Sequence, residues 1–174
     1  MTQIMPNIYI GNELDYHMIP QQDKWATLHC CKIPFHCAFA GYKGKLPHTH
    51  PDYMLCRINN EMALNLLDND KFNADYVLFN KEMFIKAFAF LDEYRALGYK
   101  LLIHCNQGLS RAPTLGMLYT AMLGKYNYAG FDETVKQFKQ IYPEYAPRAN
   151  IYMTTQAIWN DIVIHTLPEK QAAG

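Results

Sequence analysis

The sequence predicts an α/β fold: a central, mainly parallel sheet of about four to five strands flanked by helices, with a tight loop between a strand and a helix. Three observations predict it. Short apolar runs of strand length recur at residues 4–10, 25–31, 62–67 and 100–104. Stretches of helical periodicity lie beyond the third and fourth runs, as parallel strands require for their crossovers. A glycine-bearing turn then joins the last run to a helical segment.

Taken in order, residues 4–10 read as a strand closed by a turn at Gly11-Asn12. The runs WATLHCC (25–31) and MALNLL (62–67) are two more strands. Between them, Pro34, Gly41, Gly44, Pro47 and Pro51 break any periodicity, so residues 32–57 form a long loop or insertion, a length that is usually functional, disordered or misassigned. From 81 to 97, Phe84, Phe88, Leu91 and Tyr94 recur at helical spacing, and Gly98 stands where a C-cap glycine belongs. KLLIH (100–104) is a short buried strand. Pro113 can open a helix running to about residue 124. Asp132 can cap a helix that Pro143 stops, and Asn150 can cap another with Ile151, Ile158, Trp159 and Ile162 on its inner face.

Composition narrows the function classes. The chain has 174 residues, half of them hydrophobic and 18% charged, which excludes a disordered chain and fits one domain over 1–174. Sixteen basic residues balance sixteen acidic ones, so no overall field draws the protein to nucleic acid. No apolar run approaches the ~18 residues of a membrane span. The N-terminus lacks the basic start and apolar middle of a secretory signal. Five cysteines (30, 31, 37, 56 and 105) form no regular framework and read as reduced thiols of a cytoplasmic protein.

The informative stretch is His104-Cys105-Asn106-Gln107-Gly108-Leu109-Ser110-Arg111. Backbone N–H groups of such a turn can point inward, and the following helix N-terminus adds partial positive charge, which makes an anion cradle sized for phosphate. A thiolate at Cys105 would be stabilised there. Arg111 can return to the rim and clamp two phosphate oxygens with its planar fork. Gly108 lets the backbone turn without a Cβ. Ser110 can donate a hydrogen bond to the sulfur, and His104 supports the loop. Other clusters have plainer readings. Cys30, Cys31, His36 and Cys37 lack paired metal-ligand spacing and read as core. His48 and His50 read as a polar turn, and Tyr42, Lys43 and Lys45 as a solvated loop or a substrate entrance.

His-Cys-x-x-Gly-x-Ser-Arg resembles the signature of the cysteine-dependent protein tyrosine phosphatase superfamily, in its small dual-specificity branch. Residues 7–12 (NIYIGN) resemble that branch's opening strand, 115–123 its apolar helix, and 146–159 (APRANIYMTTQAIW) its closing helix. The resemblance covers about 4–165, is weakest over 32–57, and departs at Ala112, where the family often carries a second serine. It implies phosphomonoester hydrolysis through a phosphocysteine on Cys105, with Asn106 to Arg111 binding the phosphate. It also implies a general acid just after the strand preceding the long helix. Asp68 fits by strand alignment, Asp70 lies two residues on, and Asp75 is nearer the usual distance before the cysteine. The implied substrate is a phosphorylated protein: phosphotyrosine, with phosphoserine and phosphothreonine if the pocket is shallow. No metal or cofactor is needed, because Asp and Arg manage the leaving group and charge. Two alternatives stay open. One is a phosphate-recognition module without useful catalysis; the other is the same chemistry on an RNA 5′ end, a phosphoinositide or a phosphosugar. A neighbouring thiol trapping Cys105 as a disulfide is a further expectation.

Overall fold

A computed structural model of the chain describes residues 1–20 and 23–163. Strands β1 (Thr2–Met5) and β2 (Ile8–Gly11) precede a one-turn helix, α1 (Glu13–His17), and strand β3 (Trp25–His29). An irregular helical stretch, Lys32–His36, runs into α2 (Cys37–Phe39); β4 (Leu55–Ile58) and β5 (Glu61–Leu64) follow. A 3-10 turn, Ala74–Tyr76, leads into α3 (Val77–Ala96), then come β6 (Lys100–His104), α4 (Arg111–Met122), α5 (Phe131–Ile141) and α6 (Ala149–Val163).

The sheet has six strands in the order β1-β2-β6-β3-β5-β4. The inner pairings β2–β6, β6–β3 and β3–β5 are parallel, and an antiparallel strand closes each edge. The two edge strands are what the sequence reading lacked. Residues 4–10 are two strands rather than one, because Asn7 at φ 61° reverses the chain between Met5 and Ile8. β4 arises inside the expected insertion, where its exposed Arg57 and Ile58 hide the strand pattern.

β6 lies at the middle, between β2 and β3, and Leu101, Leu102 and Ile103 are wholly buried. The helix that leaves its end, α4, is buried from Ala112 to Ala121, packed on β2 and β6 and crossed by α6. Gly116 permits that depth, since a Cβ there would come within 2.8 Å of Ile10 Cδ1. α3 returns the chain from β5 to β6 and also packs against α6. The crevice at the carboxyl ends of these parallel strands is where such sheets place ligands.

Helix starts differ from expectation: α3 begins at Val77 rather than 81, and α4 at Arg111, two residues before Pro113. Asn12, in the expected Gly11-Asn12 turn, opens α1 through a reciprocal capping box with Asp15. Gly130, not Asp132, caps α5; Asp132 sits inside the first turn, where its charge suits the helix N-terminus. Asn150 is the second residue of α6, and its Oδ1 accepts the Asn73 N–H at 3.2 Å.

Candidate active site

β6 ends at His104 and α4 begins at Arg111, so the loop between them is held by two rigid elements. Gly108 turns at φ 75°, and a Cβ there would lie 3.1 Å from the Gly11 carbonyl oxygen. The loop's carbonyls are tied outward. Asn106 O accepts from the Glu13 N–H at 3.4 Å, Gly108 O from the Tyr142 hydroxyl at 2.9 Å, and Leu109 O from the Ala146 N–H at 2.9 Å. In a planar trans peptide the N–H points opposite to the C=O. The N–H groups of Gln107, Leu109 and Ser110 therefore turn away from those partners.

The loop bounds a cavity of about 440 Å³ lined by Cys105, Asn106, Gln107, Leu109, Ser110 and Arg111 together with Asp68, Ala146 and Arg148. Cys105 is 1% exposed. The Arg111 guanidinium donates to Asn106 Oδ1 at 2.9 Å and to Leu66 O at 3.3 Å, and its Nε lies 3.4 Å from Asp68 Oδ2. Its planar fork is thus aimed before any ligand arrives.

Of the three candidate acids, Asp68 alone lines this cavity. Asp70 is three-quarters exposed and pairs with Arg148 Nη1 at 2.7 Å. Asp75 lies in the 3-10 turn, exposed, with its N–H donating to Asn73 Oδ1. The Ser110 hydroxyl donates to Asp68 Oδ1 at 2.7 Å and accepts the Arg148 N–H at 3.1 Å. Its one proton is directed to Asp68 rather than to the Cys105 sulfur. Gly108 shapes the turn without lining the cavity. His104 lies beneath the loop, fully buried, with Nε2 2.6 Å from His29 Nδ1.

Sequence reasoning missed Arg148, which stands at the cavity rim one residue before α6. The signal was present, because the quoted stretch APRAN already placed an arginine at the mouth of the closing helix. Ala112 is buried with no polar group to offer, and the Thr114 hydroxyl donates to Ser110 O at 2.7 Å. No residue of 32–57 lines the cavity, yet this segment abuts it: Asn106 Nδ2 donates to Ile33 O at 3.1 Å and the Lys32 N–H to Leu66 O at 3.1 Å. Tyr42 faces His36 rather than the entrance.

Cys30 and Cys31 are wholly buried beside the site, and burial pushes the Cys31 thiol up to about 12 and that of Cys30 well above its ordinary value. Both stay protonated at neutral pH. His48 packs on Tyr53, and His50 Nδ1 accepts the Asp52 N–H at 3.1 Å. Among the described residues no group of three His, Cys, Asp or Glu side chains could hold a metal ion, and no helix is long and apolar enough to cross a membrane.

No protein-family model matches the chain. In sequence it is 25% identical over 175 residues to the tyrosine-protein phosphatase vhp-1 of Caenorhabditis elegans, a match that takes in 99% of this chain and 23% of that protein. The chain therefore spans about a quarter of that relative's length. The solved structure of DUSP15 superposes with a TM-score of 0.61 at 15% identity, covering 100% of this chain and 97% of that one. The human tyrosine phosphatase-like serine/threonine/tyrosine-interacting protein gives 0.58 at 17% identity, over 90% of this chain and 93% of that one. Human DUSP28 gives 0.60 at 12% identity, over 91% and 92%.

Proposed function

We propose that this chain, which is dual-specificity phosphatase-like in sequence and fold, hydrolyses phosphomonoesters on proteins through a phosphocysteine at Cys105. One observation supports the reading: a single cavity is lined by a cysteine, an arginine, an aspartate and the loop whose carbonyls are tied outward.

The chemistry follows from their places. A phosphoryl group entering the turn meets the N–H groups of Gln107, Leu109 and Ser110 and the Arg111 guanidinium, which replaces its contact with Asp68 by contacts to phosphate oxygens. Cys105 Sγ attacks phosphorus; an S–P bond forms, the P–O bond to the leaving group breaks, and Asp68 gives its proton to that oxygen. Water then attacks the phosphocysteine while Asp68 takes its proton back. Inorganic phosphate leaves and the sulfur is regenerated. The substrate we favour is protein phosphotyrosine, with phosphoserine and phosphothreonine reaching the same centre. A chemistry that depends on a free thiol fits a reducing compartment, and on that ground we place the chain in the cytoplasm. We take residues 1–174 as one catalytic domain.

Replacing Cys105 by Ser is expected to abolish turnover of an aryl phosphate and its burst of released alcohol, while binding of a phosphopeptide persists. Wild-type protein that binds phosphopeptide but gives no burst would make it a recognition module instead, and a Cys105→Ser variant with wild-type turnover would refute the mechanism.

A further inference from the structure

The stretch from Leu66 to Asn69 borders two cavities. Asp68 lines the phosphate cavity, whereas Leu66, Leu67 and Asn69 line a separate one of about 160 Å³. That volume lies below the roughly 300 Å³ at which small-molecule sites begin, and it suits a single side chain. Tyr53, from the 32–57 segment, and Phe79, from α3, wall it with rings 5.8 Å apart, and Tyr76 meets Phe79 edge-on at 6.4 Å. Asn65 holds Tyr53 in place, its Nδ2 donating to the Tyr53 carbonyl at 2.8 Å. Leu67 and Tyr76 are each nearly half exposed and form the mouth, whereas Leu66 is buried.

Two amides in this lining have unmet hydrogen-bonding capacity. Asn80 is 5% exposed and Asn150 6%. Among the described residues nothing bonds the Asn80 side-chain amide. Asn150 spends its Oδ1 on the Asn73 N–H and has its NH₂ left over. Buried amides are ordinarily paired. Neither of these is sealed off as the unpartnered indole N–H of Trp25 is, so both open to the cavity they line.

We propose that this cavity is a substrate subsite that takes an unphosphorylated tyrosine side chain lying within about four residues of the phosphorylated one. The substrate itself rests on the phosphatase reading above; the preference for a hydroxylated ring does not.

Reach comes first. The stretch 66–69 that both cavities share extends at most roughly 14 Å, so three or four residues of an extended peptide carry a side chain from one to the other. Shape and chemistry then select the side chain. Ringed walls favour an aromatic occupant, because aromatic pairs gain from edge-to-face packing beyond the area they bury. An amide both donates and accepts, and so does a phenol hydroxyl. Tyrosine therefore satisfies Asn80 and Asn150 where phenylalanine would leave them bare, and a site discriminates most strongly through the groups it would leave unpaired. Lys32 lines the same cavity, which makes an acidic side chain the competing occupant. Against aromatic walls an ionised carboxylate would lose hydration that a phenol does not need.

The test uses phosphotyrosine peptides in which one flanking position at a time carries Tyr, Phe, Glu or Gly. Affinities are read by fluorescence anisotropy on full-length Cys105→Ser, with and without Asn80→Leu. At one position Tyr is expected to bind about tenfold more tightly than Phe, the scale of one or two buried hydrogen bonds. Asn80→Leu is expected to abolish that difference and, with Cys105 intact, to leave turnover of nitrophenyl phosphate unchanged. Equal affinities for Tyr and Phe at every position overturn the proposal, as does tighter binding of Glu than of Tyr. A folded Asn80→Leu that keeps the preference overturns it too. Should circular dichroism show Asn80→Leu unfolded, Tyr76→Ala at the exposed mouth decides: it is expected to weaken the Tyr peptide several-fold and leave the Gly peptide unchanged, and no weakening overturns the proposal. Wild type that fails to turn over nitrophenyl phosphate refutes the phosphatase reading instead, and the affinities still decide the subsite.

Discussion

The carboxylate of Asp68 is held from three sides, by the Ser110 hydroxyl at 2.7 Å, Arg111 Nε at 3.4 Å and Arg148 Nε at 3.9 Å. Such an arrangement keeps the group at the cavity wall and lets phosphate and carboxylate exchange on Arg111. If Asp68 is the proton donor, its removal matters only where the leaving oxygen needs a proton. Asp68→Asn is expected to lower kcat/KM for an alkyl phosphate or phosphotyrosine peptide by on the order of 10²–10⁴. For nitrophenyl phosphate, whose leaving group departs as the anion, the loss should be much smaller. Steady-state rates on the two substrates measure this directly. An equal loss on both would mean that Asp68 holds Arg111 and Ser110 rather than moving protons. The sequence favours Asp68 by strand alignment yet leaves Asp70 and Asp75 open, because spacing along a loop does not fix direction; Asp70 lies two positions further and pairs with Arg148 at the rim without lining the cavity itself.

At the scale of elements, the segment after β5 must carry Asp68 to the loop and then cross to α3. α6 holds it there. The Asn150 N–H donates to Asn69 O at 3.2 Å, and Asn150 Oδ1 accepts the Asn73 N–H at 3.2 Å. Asn150→Ala keeps the first bond and removes the second, which is expected to cost about 1 kcal/mol. Hydrogen exchange should quicken over residues 69–73 while the amides of 101–104 stay protected, and turnover of poor leaving groups should fall with it. Unchanged exchange over 69–73 would show that the segment is held by other contacts. Elements with a strong period were legible in the sequence: β6 occupies the expected residues, and α3 ends at Ala96 with Gly98 at φ 75° beyond it. What was not legible depended on partners far along the chain. The edge strand β4 gains its stability from β5 and from Arg57, whose fork grips Glu93 of α3 at 2.6 and 2.8 Å, and no local pattern encodes that grip. The same holds for the site. The nucleophile and its clamp share one contiguous motif, whereas Asp68 and Arg148 reach it only through the fold.

Across the whole molecule, three histidines are buried in regions that fold together: His29 and His104 at the sheet centre, and His36 within the 32–57 segment. His36 donates from Nε2 to Asp52 O at 2.8 Å and so accepts from the Tyr42 hydroxyl at Nδ1, which anchors that segment by a neutral ring. Burial lowers the pKa of all three, to about 3 for His104. In the unfolded chain each titrates near its ordinary value of about 6.5. Below that pH the unfolded state binds more protons than the folded one, so stability falls as pH falls, through the window from about 6.5 down to the folded-state values. Glu61 adds to this lower down. Its pKa is depressed by its hydrogen bond to His29, so its contribution is present above the ordinary carboxylate range and lost as pH drops through its folded value. At about 1.4 kcal/mol per unit, His104 alone is expected to remove about 2 kcal/mol between pH 6.5 and 5. Against a total of ~5–15 kcal/mol that is a large share. Urea denaturation at pH 7 and pH 5 should therefore show a clear fall in midpoint with little change in slope, and His104→Asn, if it folds, should flatten the difference. Equal midpoints at the two pH values would mean that the rings take up protons inside the folded protein.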